Sequence, residues 1–149
     1  MSFEELLANE SLKRHHTSRE EVADLFAAAD RDMADADAKG LSTDRRFILL
    51  YEAALSLTMV ALVSTGYRTV SAGHHITALR TLPLTLGQQL TTLSDYLDKC
   101  RRLRHEALYE RVGVALQSDA DELAQVVAQL RERVLTWLAE NHPHLLPEV

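Results

Sequence analysis

Apolar residues recur at three- and four-residue spacing through most of the chain, a pattern typical of amphipathic α-helices. Four long segments carry it, at residues 16–40, 41–68, 88–113 and 118–143. A shorter helix is predicted between the second and third of these, ending near Pro83. No segment alternates apolar and polar residues as a half-buried strand does, so the sequence predicts helices and no strand.

Capping residues mark the ends of the long helices. Ser18 stands three residues before Glu21, which is the spacing of a capping box. The other predicted N-caps are Ser42 or Thr43 for the second helix and Ser118 or Asp119 for the fourth. The predicted helix stops are Gly40 and Gly66.

The second long helix is apolar over much of its circumference, which predicts that it is the most buried. Glu52 is the exception within it, and we expect an arginine to pair with this carboxylate. Four long helices with short connections predict an all-α fold, a four-helix up-and-down bundle with an additional short helix. The length of 149 residues predicts a single domain over 1–149, with its core at about 12–140 and flexible ends.

The composition limits the ligands and the cellular compartments that the sequence predicts. The net charge is −6, so contact with nucleic acid or anionic lipid requires a local basic patch. Cys100 is the single cysteine, which excludes an intrachain disulfide. The N-terminal residues MSFEELLANE lack the features of a signal peptide. The most apolar stretch, 47–63, contains Glu52 and is too short and polar for a membrane span. We predict a cytoplasmic protein that does not enter a membrane.

The seven histidines do not predict a metal site. His15/His16 and His74/His75 are adjacent pairs, and neighbours on a helix point about 100° apart, so neither pair easily chelates one ion. The chain also lacks a glycine-rich phosphate loop, a nucleophile elbow and the paired Glu-x-x-His pattern of a di-iron bundle. We therefore predict neither a metal nor a cofactor.

The stretch KCRRLRHEALY, residues 99–109, is the strongest candidate for chemistry. On a helix, Arg101, His105 and Tyr109 fall at i, i+4 and i+8 along one stripe, and Arg104 lies on the adjacent ridge. Arginine suits bidentate contact with phosphate, histidine exchanges protons near neutral pH, and a phenol donates a hydrogen bond. A metal-independent ribonuclease needs these groups to move two protons and to stabilise the phosphorane.

A solvated helix face explains the same residues without a ligand. Pairs at i,i+4 such as Asp98–Arg102 and Arg102–Glu106 would neutralise much of the positive charge. Basic residues also suit the C-terminal end of a helix. Residue physics alone favours this second interpretation.

The chain resembles the HEPN family of small all-helical prokaryotic proteins. The resemblance rests on four stretches in order, which are RRFILLYEAALSLTMVALVSTGYR, then GHH at 73–75, then YLDKCRRLRHEALYE, and last the helix ending VLTWL. They are similar to a HEPN subgroup with a Tyr-x-Ala-Ala helix, a Gly-Tyr-Arg turn, a Gly-His-His and an Arg-Asn-x-x-x-Tyr element. The similarity covers roughly residues 12–140.

The resemblance implies a site at a homodimer cleft that cleaves RNA without metal. Arg104 matches the motif arginine, His105 occupies the polar position after it, and Tyr109 stands where active members have histidine. This departure leaves three possibilities: weak activity, no activity, or dependence on His105. Arg104 would contact the scissile phosphate, and His105 and Tyr109 would handle protons or orient the 2′-hydroxyl.

Four further residues are candidates for substrate binding. Arg101 and Arg102 would hold flanking phosphates, and one imidazole of His74 and His75 would face the basic stripe. The simpler interpretation of the two histidines is that they begin the short helix.

Three hypotheses about function follow. The first is a HEPN-type RNA-binding protein, which in its stronger form is a metal-independent endoribonuclease toxin of a toxin–antitoxin or defence system. The second is an inactive HEPN module that binds a nucleotide or a nucleotidyltransferase-type antitoxin partner, which could modify Tyr109. The third is a structural role with no ligand.

Overall fold

Helices make up most of the molecule, as the periodicity predicted. The computed structural model describes residues 1–70 and 74–148. The long helices are α2 (Arg19–Asp35), α3 (Thr43–Ser64), α6 (Thr91–Tyr109) and α7 (Gln117–Asn141). The shorter ones are α1 (Phe3–Ala8), α4 (His74–Arg80) and α5 (Leu82–Thr85), with 3₁₀ turns at Gln88–Leu90 and Pro143–Leu145.

Helix α3 is the centre of the core. It contacts α2, α4, α6 and α7, and its largest buried side chains, Phe47, Tyr51 and Leu57, are at most 1% exposed. Among the described residues, α3 alone is long and apolar enough to cross a membrane. Because 78% of its apolar 18-residue stretch is buried inside the structure, its apolar surface is already covered by the other helices.

The helix ends follow the predicted capping chemistry at two of three N-termini. The hydroxyls of Ser18 and Ser42 accept hydrogen bonds from the backbone N–H three residues ahead, both at 3.1 Å. The predicted cap of α7 is wrong, because Leu116 is the N-cap and Gln117 is already helical. Asp119 acts instead from the third helical position, where its carboxylate accepts the N–H of Leu116 at 2.9 Å.

The prediction of no strand is also wrong. Strands β1 (Leu12–Arg14) and β2 (Tyr67–Thr69) form an antiparallel pair with Leu12 opposite Thr69. Each strand has three residues, too few to display the alternation that identifies a strand in sequence. Gly66, at φ +101°, makes the sharp exit from α3 that allows β2 to turn back.

The N-terminal residues pack onto the end of α3. Leu6 of α1 and Leu12 of β1 form a small cluster with Leu62, and the ring of Phe3 stacks on Tyr67 at 4.3 Å between centroids. Leu6 lies before the predicted core bounds and is 6% exposed. Buried residues therefore extend beyond the predicted start of the core.

Asp44 ties the connection between α6 and α7 to the first turn of α3. Its two carboxylate oxygens accept the N–H of Gly113 at 2.6 Å and of Ala115 at 3.0 Å. The residue is 9% exposed, so these bonds are largely shielded from water. This contact fixes where the chain goes after the basic stretch of α6.

Candidate functional site

Arg104 is anchored on α3 by an ion pair. Its Nη2 donates to Oε1 of Glu52 at 2.6 Å, and its side chain is 20% exposed. The predicted arginine partner of Glu52 is therefore present, and it is Arg104. The Arg104 guanidinium carbon also lies 5.5 Å from the ring centroid of Tyr51. Its Nε is buried and has no hydrogen-bond partner among the described residues.

Tyr51 connects this arginine to helix α4. Its hydroxyl lies 3.1 Å from Nδ1 of His75, and the tyrosine itself is fully buried. Burial raises the pKa of Tyr51 well above its ordinary value, so the side chain stays a phenol at any physiological pH. Burial lowers the pKa of His75, and the charges of His74 and Arg104 lower it further. The imidazole of His75 is therefore neutral at pH 7.

Five residues from three helices thus form one contiguous group. The ring of His74 meets that of His75 edge-on, with centroids 4.4 Å apart. We call this group the Tyr51 cluster, and its members are Tyr51, Glu52, His74, His75 and Arg104. It unites a guanidinium, a carboxylate, a phenol and two imidazoles, whose N–H and O–H donors are suited to holding an oxyanion.

The other arginines of α6 share the carboxylate of Asp98, which is 7% exposed. Nε of Arg101 donates to it at 2.8 Å, Nη2 of Arg80 at 3.5 Å, and Nη2 of Arg102 lies 4.0 Å away. The Asp98–Arg102 pair expected for a solvated face is thus present. Arg80 also donates to Asp95 from Nη1 at 2.5 Å, so three arginines face two carboxylates and a net positive charge of one remains.

The second pair expected for a solvated face, Arg102–Glu106, is replaced by a pair between Glu106 and Arg111. Glu106 accepts from Nη2 of Arg111 at 2.7 Å, outside helix α6. Arg102 is therefore left with its long contact to Asp98, and its side chain is 65% exposed.

His105 and Tyr109 lie together on the solvent side of α6. Their ring centroids are 4.8 Å apart, which agrees with the predicted i,i+4 stripe, and Tyr109 is 70% exposed. Among the residues that the structure describes, no hydrogen bond or ring contact joins either of them to the Tyr51 cluster. The predicted site residues therefore separate into a buried group around Arg104 and an exposed pair.

Sequence reasoning missed Tyr51 as a member of the site. Tyr51 stands among apolar residues in the sequence of α3, and its ring is buried as that position predicts. The available signal was the position of Tyr51 next to Glu52, which is the one charged residue in the apolar middle of α3. Gly73 of the Gly-His-His stretch lies outside the described residues.

The described residues contain no group of three or more His, Cys, Asp or Glu side chains that could hold a metal ion. Comparison with known proteins adds no assignment, since no family model, curated protein or solved structure matches the chain. The geometry of the Tyr51 cluster and of α6 is therefore the basis for a functional proposal.

Proposed function

We propose that this chain is a HEPN-type protein that binds RNA at the Tyr51 cluster and the basic face of α6. In the stronger form of the proposal it is a metal-independent endoribonuclease of a cytoplasmic toxin–antitoxin or defence system. One observation carries the proposal. Arg104, Tyr51 and His75 converge from three helices, although 53 residues separate Tyr51 from Arg104.

The helical arrangement supports the family proposal. Helices α2, α6 and α7 all contact α3, as expected if these four form an up-and-down bundle with α4 as the additional short helix. In such a bundle a site is built from side chains on facing helices, and the Tyr51 cluster is built in this way from α3, α4 and α6.

Arg104 is prepared to hold a phosphate. A guanidinium has five N–H donors, and Glu52 accepts from Nη2 alone. The ion pair and the Tyr51 ring hold the side chain in one place, so little entropy is lost when a phosphate binds the remaining donors. Arg101 supplies charge one helical turn from Arg104, where a neighbouring phosphate of a single strand would lie. Arg102, two residues from Arg104 and 65% exposed, adds charge on another side of α6.

The exposed pair His105 and Tyr109 fits a site completed by a second copy of the chain. Tyr109 is 70% exposed, and two large apolar side chains that follow it, Val112 and Leu116, are 98% and 62% exposed. A second copy seated on this end of α6 would cover them and bring its own His105 to the site. This is the support for a homodimer.

The test is cleavage of a mixed RNA pool by purified protein in EDTA. We expect Arg104→Ala to lower the cleavage rate about a hundredfold, because it removes the donors that stabilise the phosphorane. Arg133→Ala, on the exposed side of α7, is the matched control and should cleave like the wild type. Absence of cleavage by the wild-type protein would eliminate the endoribonuclease form.

The alternative is a catalytically inactive HEPN module that binds a nucleotide or a nucleotidyltransferase-type partner. The ion pair Glu52–Arg104 favours it, since a carboxylate beside the motif arginine opposes a dianionic phosphorane. This form predicts RNA or nucleotide binding without turnover, measured by fluorescence anisotropy. It also predicts co-purification with a nucleotidyltransferase encoded by a neighbouring gene.

A further inference from the structure

The hydrogen bond between Tyr51 and His75 has a defined direction. Tyr51 is 0% exposed, and a buried hydroxyl requires an acceptor for its proton. Among the described residues, Nδ1 of His75 is the one hydrogen-bond partner of this hydroxyl. Tyr51 is therefore the donor and Nδ1 the acceptor.

A neutral imidazole carries one proton, so an accepting Nδ1 places that proton on Nε2. The charge state agrees with this tautomer. Burial lowers the pKa of His75, and the charges of His74 and Arg104 lower it further, against an opposing effect of Glu52. The edge-on contact with His74 restricts rotation of the ring. His75 thus presents a single N–H at the edge of the ring away from Tyr51.

The geometry assigns Tyr51 as a positioning residue that holds His75 as the Nε2–H tautomer, so that His75 donates a hydrogen bond to a phosphate oxygen bound beside Arg104. The choice of phosphate as the ligand rests on the proposed function, whereas the tautomer of His75 follows from its hydrogen bond to Tyr51 alone. The guanidinium and the imidazole both contact Tyr51, one over its ring and the other at its hydroxyl. Together they offer two kinds of donor to one anion.

The assignment also limits the chemistry of His75. With Nδ1 occupied and Nε2 protonated, the neutral ring has no free lone pair. It therefore cannot accept the 2′-hydroxyl proton as a general base, and in any cleavage reaction that proton goes to another group. For the same reason it is not a metal ligand in this state.

The tautomer is tested on the free full-length protein by long-range ¹H–¹⁵N NMR with ¹⁵N-labelled histidine. The His75 signals are identified by their loss in His75→Gln. We expect an unprotonated Nδ1 and a protonated Nε2. Tyr51→Phe should shift the Nδ1 resonance and make the Nδ1–H form detectable, while Tyr96→Phe should change neither. A protonated Nδ1 in the wild type overturns the assignment, and this holds even if Tyr51→Phe fails to fold.

The donor role is tested with inorganic phosphate and a short oligouridylate as probes. Both should shift the Nε2 resonance. His75→Gln retains an amide N–H near the position of Nε2 and should bind within about threefold of wild type, whereas His75→Asn should bind about tenfold more weakly. Equal losses in the two variants overturn the donor role. If neither probe shifts the Nε2 resonance, both the phosphate site and the proposed function are rejected. The tautomer of His75 is not affected by that result, because it is measured on the free protein.

Discussion

Glu52 determines how the site is arranged. It is the one charged residue in the apolar middle of α3, and its side chain is 33% exposed, so a lone carboxylate there would be partly desolvated. Its bond to Arg104 offsets that cost and holds the guanidinium beside Tyr51. The same pair thus serves the stability of the core and the geometry of the site.

We predict that Glu52 and Arg104 are energetically coupled. Glu52→Gln should lower the free energy of unfolding by about 1–2 kcal/mol, because it leaves the guanidinium shielded from water without a counter-charge. A double-mutant cycle with Arg104→Gln should give a coupling of about 1 kcal/mol in urea unfolding. The matched control is the exposed pair Arg19–Glu148, with side chains 46% and 82% exposed, for which we expect almost no coupling. Equal coupling in the two pairs would contradict the prediction.

Cys100 provides a second prediction at this scale. Burial raises the pKa of its thiol to about 11, an effect that the Tyr96 hydroxyl opposes and the charge of Glu122 reinforces. At pH 8 only about one thiol in a thousand is ionised, so iodoacetamide should react slowly with the native protein. Urea should accelerate the reaction, and Gln125→Cys in a Cys100→Ser background should react fast without it. Rapid modification of native Cys100 would refute the prediction.

Single residues were predicted best where their chemistry is constrained. An acid in an apolar helix needs a base, so an arginine partner for Glu52 was expected. Which arginine could not be predicted, since residues 101, 102 and 104 are all within reach in sequence and only the rotation of α6 decides. Tyr51 was missed because a tyrosine in an apolar stripe is consistent with a plain core residue.

At the scale of elements, Asp44 joins the first turn of α3 to the α6–α7 connection, 69 and 71 positions along the chain. Its carboxylate accepts two backbone N–H groups of the turn, which would otherwise have no hydrogen-bond partner within the described residues. It fixes the connection that follows α6, four residues or more beyond Tyr109.

We predict that Asp44→Ala lowers the free energy of unfolding by about 2–3 kcal/mol, because two charge-assisted hydrogen bonds are lost. Amide hydrogen exchange at Gly113 and Ala115 should accelerate more than exchange within α3. The control is Asp37→Ala, an exposed residue between α2 and α3, which should leave both measurements unchanged. Unchanged exchange at Gly113 in Asp44→Ala would show that the contact does not order the turn.

Elements were predictable in proportion to their length. Seventeen or more residues with helical spacing identified α2, α3, α6 and α7, and serine caps located two of their starts. The cap of α7 was misplaced because Asp119 has the residue type of an N-cap but acts from the third position, on the N–H of Leu116. Strands β1 and β2 exist through pairing between residues about 55 positions apart, which local patterns do not encode.

At the scale of the whole molecule, the net charge of −6 makes binding of an anionic polymer dependent on local geometry. Acidic residues neutralise much of α6, since Asp98 contacts Arg80, Arg101 and Arg102 and Glu52 contacts Arg104. A single copy of the chain thus offers a weak positive face. Two such faces brought together would double the local charge without changing the charge of the rest of the surface.

Dimerisation through the end of α6 is therefore the prediction on which the proposed RNA site depends most. Sedimentation velocity at micromolar concentration should give a dimer, because Tyr109, Val112 and Leu116 leave an apolar surface that a second copy can cover. Val112 is 98% exposed, so Val112→Glu cannot disturb the fold by burial, yet it should convert the dimer to monomer and abolish RNA binding together. Gln125→Glu on the exposed side of α7 adds the same charge elsewhere and should leave both intact. A wild-type monomer that still binds RNA would separate the Tyr51 cluster from any dimer cleft, whereas a dimer insensitive to Val112→Glu would place the interface on another surface.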